Sequence, residues 1–228
     1  MNNPTIISLG GSLVVPQEID TVFLASFKKL VEREIKKGKE FIIIVGGGKI
    51  CRKYQAAAKE LGANTARELD WVGIYATRLN ANFFRIIMGD LAHEEVISDP
   101  RIVTPISKPL AVGAGWKPGW STDFDAVEMA KTMGAKKIVN LSNIDYVYDK
   151  DPKKFPDAVK IEKTNWREFR KILPTKWSPG VNAPFDPVAA KRAEELGLEV
   201  AIMNGADLDN FSNYLAGKEF KGTIICSR

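Results

Sequence analysis

Apolar runs of strand length alternate with longer amphipathic stretches along this chain. Thr5 to Leu9 (TIISL) and Phe41 to Val45 (FIIIV) are mostly apolar. Lys137 to Leu141 and Val200 to Met203 repeat the pattern, and Leu110 to Val112 and Thr223 to Ile225 are shorter versions. Between them the spacing turns helical. Ile19 to Lys37 places Phe23, Phe27, Leu30 and Val31 on one face. Lys49 to Leu61, Val72 to Leu91, Asp123 to Met133 and Asp186 to Leu196 follow, the last ending at Gly197. Such alternation predicts a three-layer α/β/α sandwich around a mainly parallel sheet. Asn143 to Pro152 reads as a hairpin or loop, and the proline-containing stretch from Leu173 to Pro187 as the mobile segment. No repeat or low-complexity linker interrupts the pattern, so one α/β domain with two lobes is expected over residues 1–228.

Two of the strands run into glycine. FIIIV is followed by Gly46, Gly47, Gly48 and Lys49, and TIISL by Gly10, Gly11 and Ser12. A turn without Cβ atoms brings the backbone close to a ligand. The helix after the second turn aims its positive dipole end at the same place, with Lys49 and Arg52 in its first turn. That describes a polyanion site. Neither turn has P-loop spacing or the Gly-x-Gly-x-x-Gly fingerprint of dinucleotide folds.

Ligands of open parallel sheets gather beyond the carboxyl ends of the strands. Both glycine turns, the 113–123 loop and the 141–151 loop lie at such ends. Together they hold Ser12, Lys49 and Arg52, then Ser121, Thr122 and Asp123, then Ser142, Asn143, Asp145, Tyr148 and Asp151; Asp70 and Asp186 open neighbouring helical segments. Cations and hydroxyls here suit phosphates, and the carboxylates suit a ribose or a hydrated metal. A Ser-His-Asp set, Cys/His zinc spacing and the protein-kinase His-Arg-Asp signature are all missing from the sequence. The chemistry left is phosphoryl transfer by positioning and electrostatics, which needs no protein nucleophile.

Composition narrows the classes further. At 45% hydrophobic and 27% charged residues the chain is an ordinary globular protein. It has no apolar run of membrane-spanning length and no signal-peptide core, so a cytoplasmic protein without membrane partners is expected. The net charge of +5 is spread among acids, as in FKKLVEREIKKGKE, which argues against nucleic acid and suits a small anionic substrate. Cys51 and Cys226 read as reduced thiols. With His93 the only histidine, Cys51 has no evident base for nucleophilic work.

Five ordered motifs resemble the amino-acid-kinase superfamily: LGGS at 9–12, VGGGK at 45–49, STD at 121–123, SNIDYVYDKDP at 142–152 and FDPVAAK at 185–191. RKY at 52–54 and TRLNA at 77–81 extend the match nearly end to end, and within the superfamily the chain is most similar to archaeal-type uridylate (UMP) kinases. The resemblance implies transfer of the γ-phosphoryl group of Mg-ATP to UMP by a homo-oligomer, a hexamer built as a trimer of dimers. It implies an acceptor lobe over residues 1–135 and an ATP lobe over 136–228. Gly11, Ser12, Gly48 and Arg52 would then meet ATP phosphates, and Ser142, Asn143, Tyr148 and Asp151 the rest of ATP. Gly47, Asp70 and the segment Trp116, Lys117, Pro118, Gly119, Trp120, Ser121 and Thr122 would hold UMP. Lys49, Arg52, Asp123 and Asp186 would organise the reacting phosphates, with the ligand of magnesium itself unassigned.

Plainer readings stand beside these. Asp70, Asp123 and Asp186 each open a helical segment and read equally as amino-caps. Asp145 and Asp151 are common turn residues, and Trp116 and Trp120 serve as well in a core or an interface. The chain also departs from the family pattern. Ser8 stands where many members carry lysine, Tyr146 replaces a glycine in the ATP loop, and two tryptophans occupy the acceptor loop. Another small-molecule kinase of the superfamily, or a non-catalytic nucleotide or oxyanion binder resembling the molybdenum-storage proteins, are the alternatives.

Overall fold

The computed structural model describes residues 1, 4–102, 105–174 and 183–227. Part of the stretch expected to be mobile, residues 175–182, lies outside the described residues. The elements in order are β1 (Thr5–Leu9), α1 (Gly11–Val14), α2 (Thr21–Lys36), β2 (Phe41–Val45), α3 (Gly48–Glu60), α4 (Ala66–Met88) and β3 (Leu110–Gly113). They continue with α5 (Thr122–Met133), β4 (Lys137–Ser142), β5 (Val147–Tyr148), β6 (Lys160–Ile161), β7 (Lys163–Asn165) and α6 (Trp166–Lys171). The last four are α7 (Pro187–Glu195), β8 (Glu199–Asn204), α8 (Leu208–Leu215) and β9 (Thr223–Cys226).

Seven strands form one sheet in the order β3-β2-β1-β4-β8-β9-β7. The first five run parallel, and β9 lies antiparallel to β8 and parallel to β7. Strands β1 and β2 carry buried apolar side chains on both faces because helices cover both faces. One core packs α5, α6 and α7 on one side, with Phe124, Val127, Met129, Trp166, Phe169 and Phe185 inside it. The other packs α1, α2, α4 and α8 on the opposite side, around Phe27, Phe84 and Phe211. Strand order reverses between β1 and β4, so that pair is the topological switch point.

Three expectations need correction. The long helix starts at Ala66 and not near Val72, because Thr65 and Glu68 form a capping box: Glu68 N donates to Thr65 Oγ1 at 3.2 Å, and Thr65 N to Glu68 Oε2 at 2.9 Å. Asp70 therefore sits inside α4 and caps nothing. The segment from Asn143 to Pro152 is no closed hairpin, since β5 pairs with β6 well beyond it, Val147 opposite Ile161. Finally, α5 is capped by Ser121, whose Oγ accepts from Phe124 N at 3.2 Å, which frees the Asp123 carboxylate for other partners.

Candidate active site

The two glycine turns meet at the switch point in direct backbone contact. A Cβ on Gly11 would lie 2.0 Å from Gly48 N, and one on Gly48 2.3 Å from Gly11 O; Gly48 also has φ of +65°. No side chain fits at either position without moving the other turn. Asn80 of α4 donates from Nδ2 to the carbonyls of Gly46 and Gly47, at 3.0 and 3.1 Å. With those carbonyls held on the α4 side, α3 opens at Gly48, where first-turn N–H groups have no intrahelical acceptor. Lys49 is half-buried and Arg52 exposed, and neither side chain pairs with a carboxylate among the described residues. Both are free to meet an anion. Cys51 beside them is a poor nucleophile, because burial pushes its thiol up, with Arg52 opposing and Asp70 adding to the shift.

Carboxylates gather on the α5–α7 side of the same point. Ser8 of β1 and Asn140 of β4 are register partners, and both donate to Asp123 Oδ1 at 2.8 Å. Asp123 Oδ2 accepts from Asp186 N at 3.2 Å. The Asp123 residue keeps some exposure, yet its carboxylate is crowded by protein. Desolvation therefore dominates and raises it to about 6, with Ser8 opposing and the charge of Asp186 reinforcing the shift. Asp186 is the N-cap of α7, its Oδ1 accepting from Val188 N at 2.6 Å and Ala189 N at 3.1 Å. Burial raises it too. Ser121 lies close enough to oppose that rise, but no well-aligned hydrogen bond reaches the buried Oδ2. That oxygen is a spare acceptor in the site.

The loop after β3 is fixed from α4. Gly119 N donates to Asp70 Oδ2 at 2.7 Å, and Gly115 N to Thr77 Oγ1 at 2.9 Å. Asp70 is buried, and desolvation raises its carboxyl against the lowering effect of Gly119. Trp120 stacks on Phe124 with centroids 4.0 Å apart, and Trp116 lies 6.3 Å from Trp120. Lys117 Nζ and Arg101 Cζ lie over the Trp116 ring at 3.9 and 4.2 Å. Both indoles thus pack against the α5–α7 core and Lys117 of the same loop, with Arg101 over Trp116 as well.

The fold brings Gly11, Ser12, Gly47, Gly48, Lys49, Asp123 and Asp186 around the switch point, with Asp70 holding Gly119 on the α4 side and Trp116, Trp120, Ser121 and Thr122 toward α5. Ser142 ends β4 there. Asn143 and Asp151 are exposed and Tyr148 half-buried, further along the β4–β5 connection; Asp151 Oδ1 accepts from Lys153 N at 3.0 Å, an ordinary turn contact. Asp145 accepts from Asn204 Nδ2 at 2.8 Å, and Lys160 Nζ lies 4.8 Å from the Tyr146 ring. Sequence reasoning missed Ser8 as an anchor, together with Asn140, Asn80 and Asp125. The available signal was polarity in the wrong place: Ser8 and Asn140 interrupt apolar strands, and Asn80 falls on the buried face of a helix.

Residues 3–204 match the model of the amino acid kinase family. A uridylate kinase of Staphylothermus marinus is 34% identical over 229 residues, covering 99% of each chain. One of Methanocaldococcus jannaschii is 33% identical over 96% of this chain and 98% of its own. Among solved structures, uridylate kinase from Archaeoglobus fulgidus superposes with a TM-score of 0.81 at 30% identity, covering 98% of this chain and all of that one. A UMP kinase from Bacillus anthracis shares the fold, with a TM-score of 0.79 at 21% identity over 98% and 96% of the two chains. On its sequence and its fold, this chain belongs to the amino acid kinase family.

Proposed function

We propose that this protein is an ATP-dependent uridylate kinase. It moves the γ-phosphoryl group of Mg-ATP to UMP, giving UDP and ADP, a step of pyrimidine nucleotide biosynthesis in the cytoplasm. An acceptor phosphate oxygen forms the new bond to the γ-phosphorus as the bond to the β–γ bridging oxygen breaks. No protein atom becomes covalently attached. The observation that carries the reading is the full-length similarity to uridylate kinases, resting on a centre where two glycine turns touch beside Asp123 and Asp186.

Family resemblance suggests the roles, and placement is compatible with them. Gly11, Ser12 and Gly48 offer backbone donors to ATP phosphates, and Lys49 and Arg52 supply the positive charge that Ser8 does not. Ser142, Asn143, Tyr148 and Asp151 serve the nucleoside end of ATP. Gly47, Asp70 and residues 116–122 hold UMP, with residues 1–135 forming the acceptor lobe and 136–228 the ATP lobe. Among the described residues no three His, Cys, Asp or Glu side chains converge on a metal. Magnesium therefore fits as a companion of the ATP phosphates, with Asp186, through its spare buried Oδ2, and Asp123 as its protein partners. When bound it neutralises charge on the transferring phosphoryl group.

Measuring ADP release with Mg-ATP and a panel of UMP, CMP, dUMP and acetylglutamate tests the reading. UMP should be the preferred acceptor, with no turnover after chelation of the metal. A folded protein that releases no ADP in response to UMP would overturn it in favour of another acceptor or a binding role.

A further inference from the structure

We infer that Arg78 and Asp125 form a positioning pair that fixes the height of the acceptor loop by gripping Trp116 from opposite faces of the sheet. From α4, Arg78 Nη2 donates to Trp116 O at 3.2 Å and Nε to Gly115 O at 3.3 Å. From α5, Asp125 Oδ2 accepts from Trp116 N at 3.2 Å. A guanidinium thus sits at the carbonyl end of this residue and a carboxyl at its amide end. Each group complements the local backbone dipole.

Neither group is explained by an ion pair. Arg78 is half-buried and makes no salt bridge among the described residues. Asp125 is 1% exposed, and its Oδ1 has no hydrogen-bond partner. A carboxyl is costly to bury with one backbone N–H as its only hydrogen-bond partner. What Asp125 gains in that place is registration. It follows Asp123 by two residues on one rigid helix, so the loop that presents Gly119 to Asp70 is set at a constant offset from the reacting centre.

The inference rests on residues 116–122 being the acceptor loop, and two readouts on the full-length protein separate the questions. Asp125→Val and Arg78→Met should each raise KM for UMP by about tenfold, with kcat and KM for ATP changed less than about twofold. In both, hydrogen exchange at the Trp116 amide should accelerate by a similar factor. Asp125→Asn keeps an acceptor oxygen and should resemble the wild type in both measurements. Unchanged exchange in both disruptive variants overturns the grip, as does Asp125→Asn failing as badly as the valine. Faster exchange with an unaltered KM for UMP overturns its role toward the acceptor. A wild-type protein inert toward UMP would instead sink the kinase reading, while the exchange arm still decides whether the pair holds the loop.

Discussion

Asp70 accepts from Gly119 of the loop proposed to hold UMP, so on the proposed function its charge should matter mainly to that substrate. Asp70→Asn keeps an acceptor for Gly119 N–H but removes the charge proposed to face the ribose. Its affinity for UMP should fall about tenfold with KM for ATP unchanged; equal loss on both would mark the residue as purely structural. Asp123 yields a pH prediction. Its carboxyl is raised from 3.8 to about 6, and its proposed role in organising the reacting phosphates requires the charged form. Turnover should therefore decline as pH drops through about 6, and a rate flat from pH 5 to 8 would refute this. Stability runs the other way. The fold holds the proton more tightly than the unfolded chain, so the stabilisation from this group is complete below 3.8 and is lost as pH rises through about 6. Gly11, Gly48 and Lys49 stood out in the sequence because they follow apolar strand runs, and Asp123 and Asp186 because each falls at the start of a helical segment. Ser8 did not, since its importance comes from standing opposite Asn140 across a pairing that only the fold creates.

At the level of elements, the first turn of α4 depends on two residues far from the chemistry. Thr65→Ala removes the capping hydroxyl and should destabilise the protein by about 1 kcal/mol, lowering Tm by about 2–4 °C. ADP release should be unaffected; a matching loss of turnover would show that this helix end reaches the site. The Thr-x-x-Glu signature was present in the sequence, but it precedes a charged, weakly apolar stretch (ARELD) and so was overlooked. The buried strands were legible because they are short continuous apolar runs. β6, β7 and α8 were not. β6 and β7 lie within KIEKTN, alternating charge suited to short edge strands. α8 has helical apolar spacing at Leu208, Phe211 and Leu215 but is only eight residues long, and its anchor is a buried polar residue, Asn210, which bonds Lys221 O and N at 2.7 Å each.

For the whole molecule, α4 leaves an apolar stripe on its outer side. Tyr75, Leu79 and Ile86 are 62%, 62% and 64% exposed, and Trp71 stacks on Tyr75 with centroids 5.9 Å apart. A helix whose inner face already builds a core rarely carries a second such stripe without covering it. The homo-oligomer that the family resemblance implies would use it. Leu79→Glu should shift sedimentation toward a smaller species, and an unchanged distribution would move the contact elsewhere. Sequence periodicity could not separate these two faces, because both satisfy helical spacing and only the fold decides which one meets the sheet.

The contact between Gly11 and Gly48 also limits how this site is able to diversify. A substitution that admits a side chain into either turn displaces the other, so the two glycine turns do not mutate independently. On the proposed assignment, drift in acceptor preference falls to the tryptophan loop and its two braces, where side chains exist to be exchanged, while the backbone proposed to face the phosphates has little freedom to change.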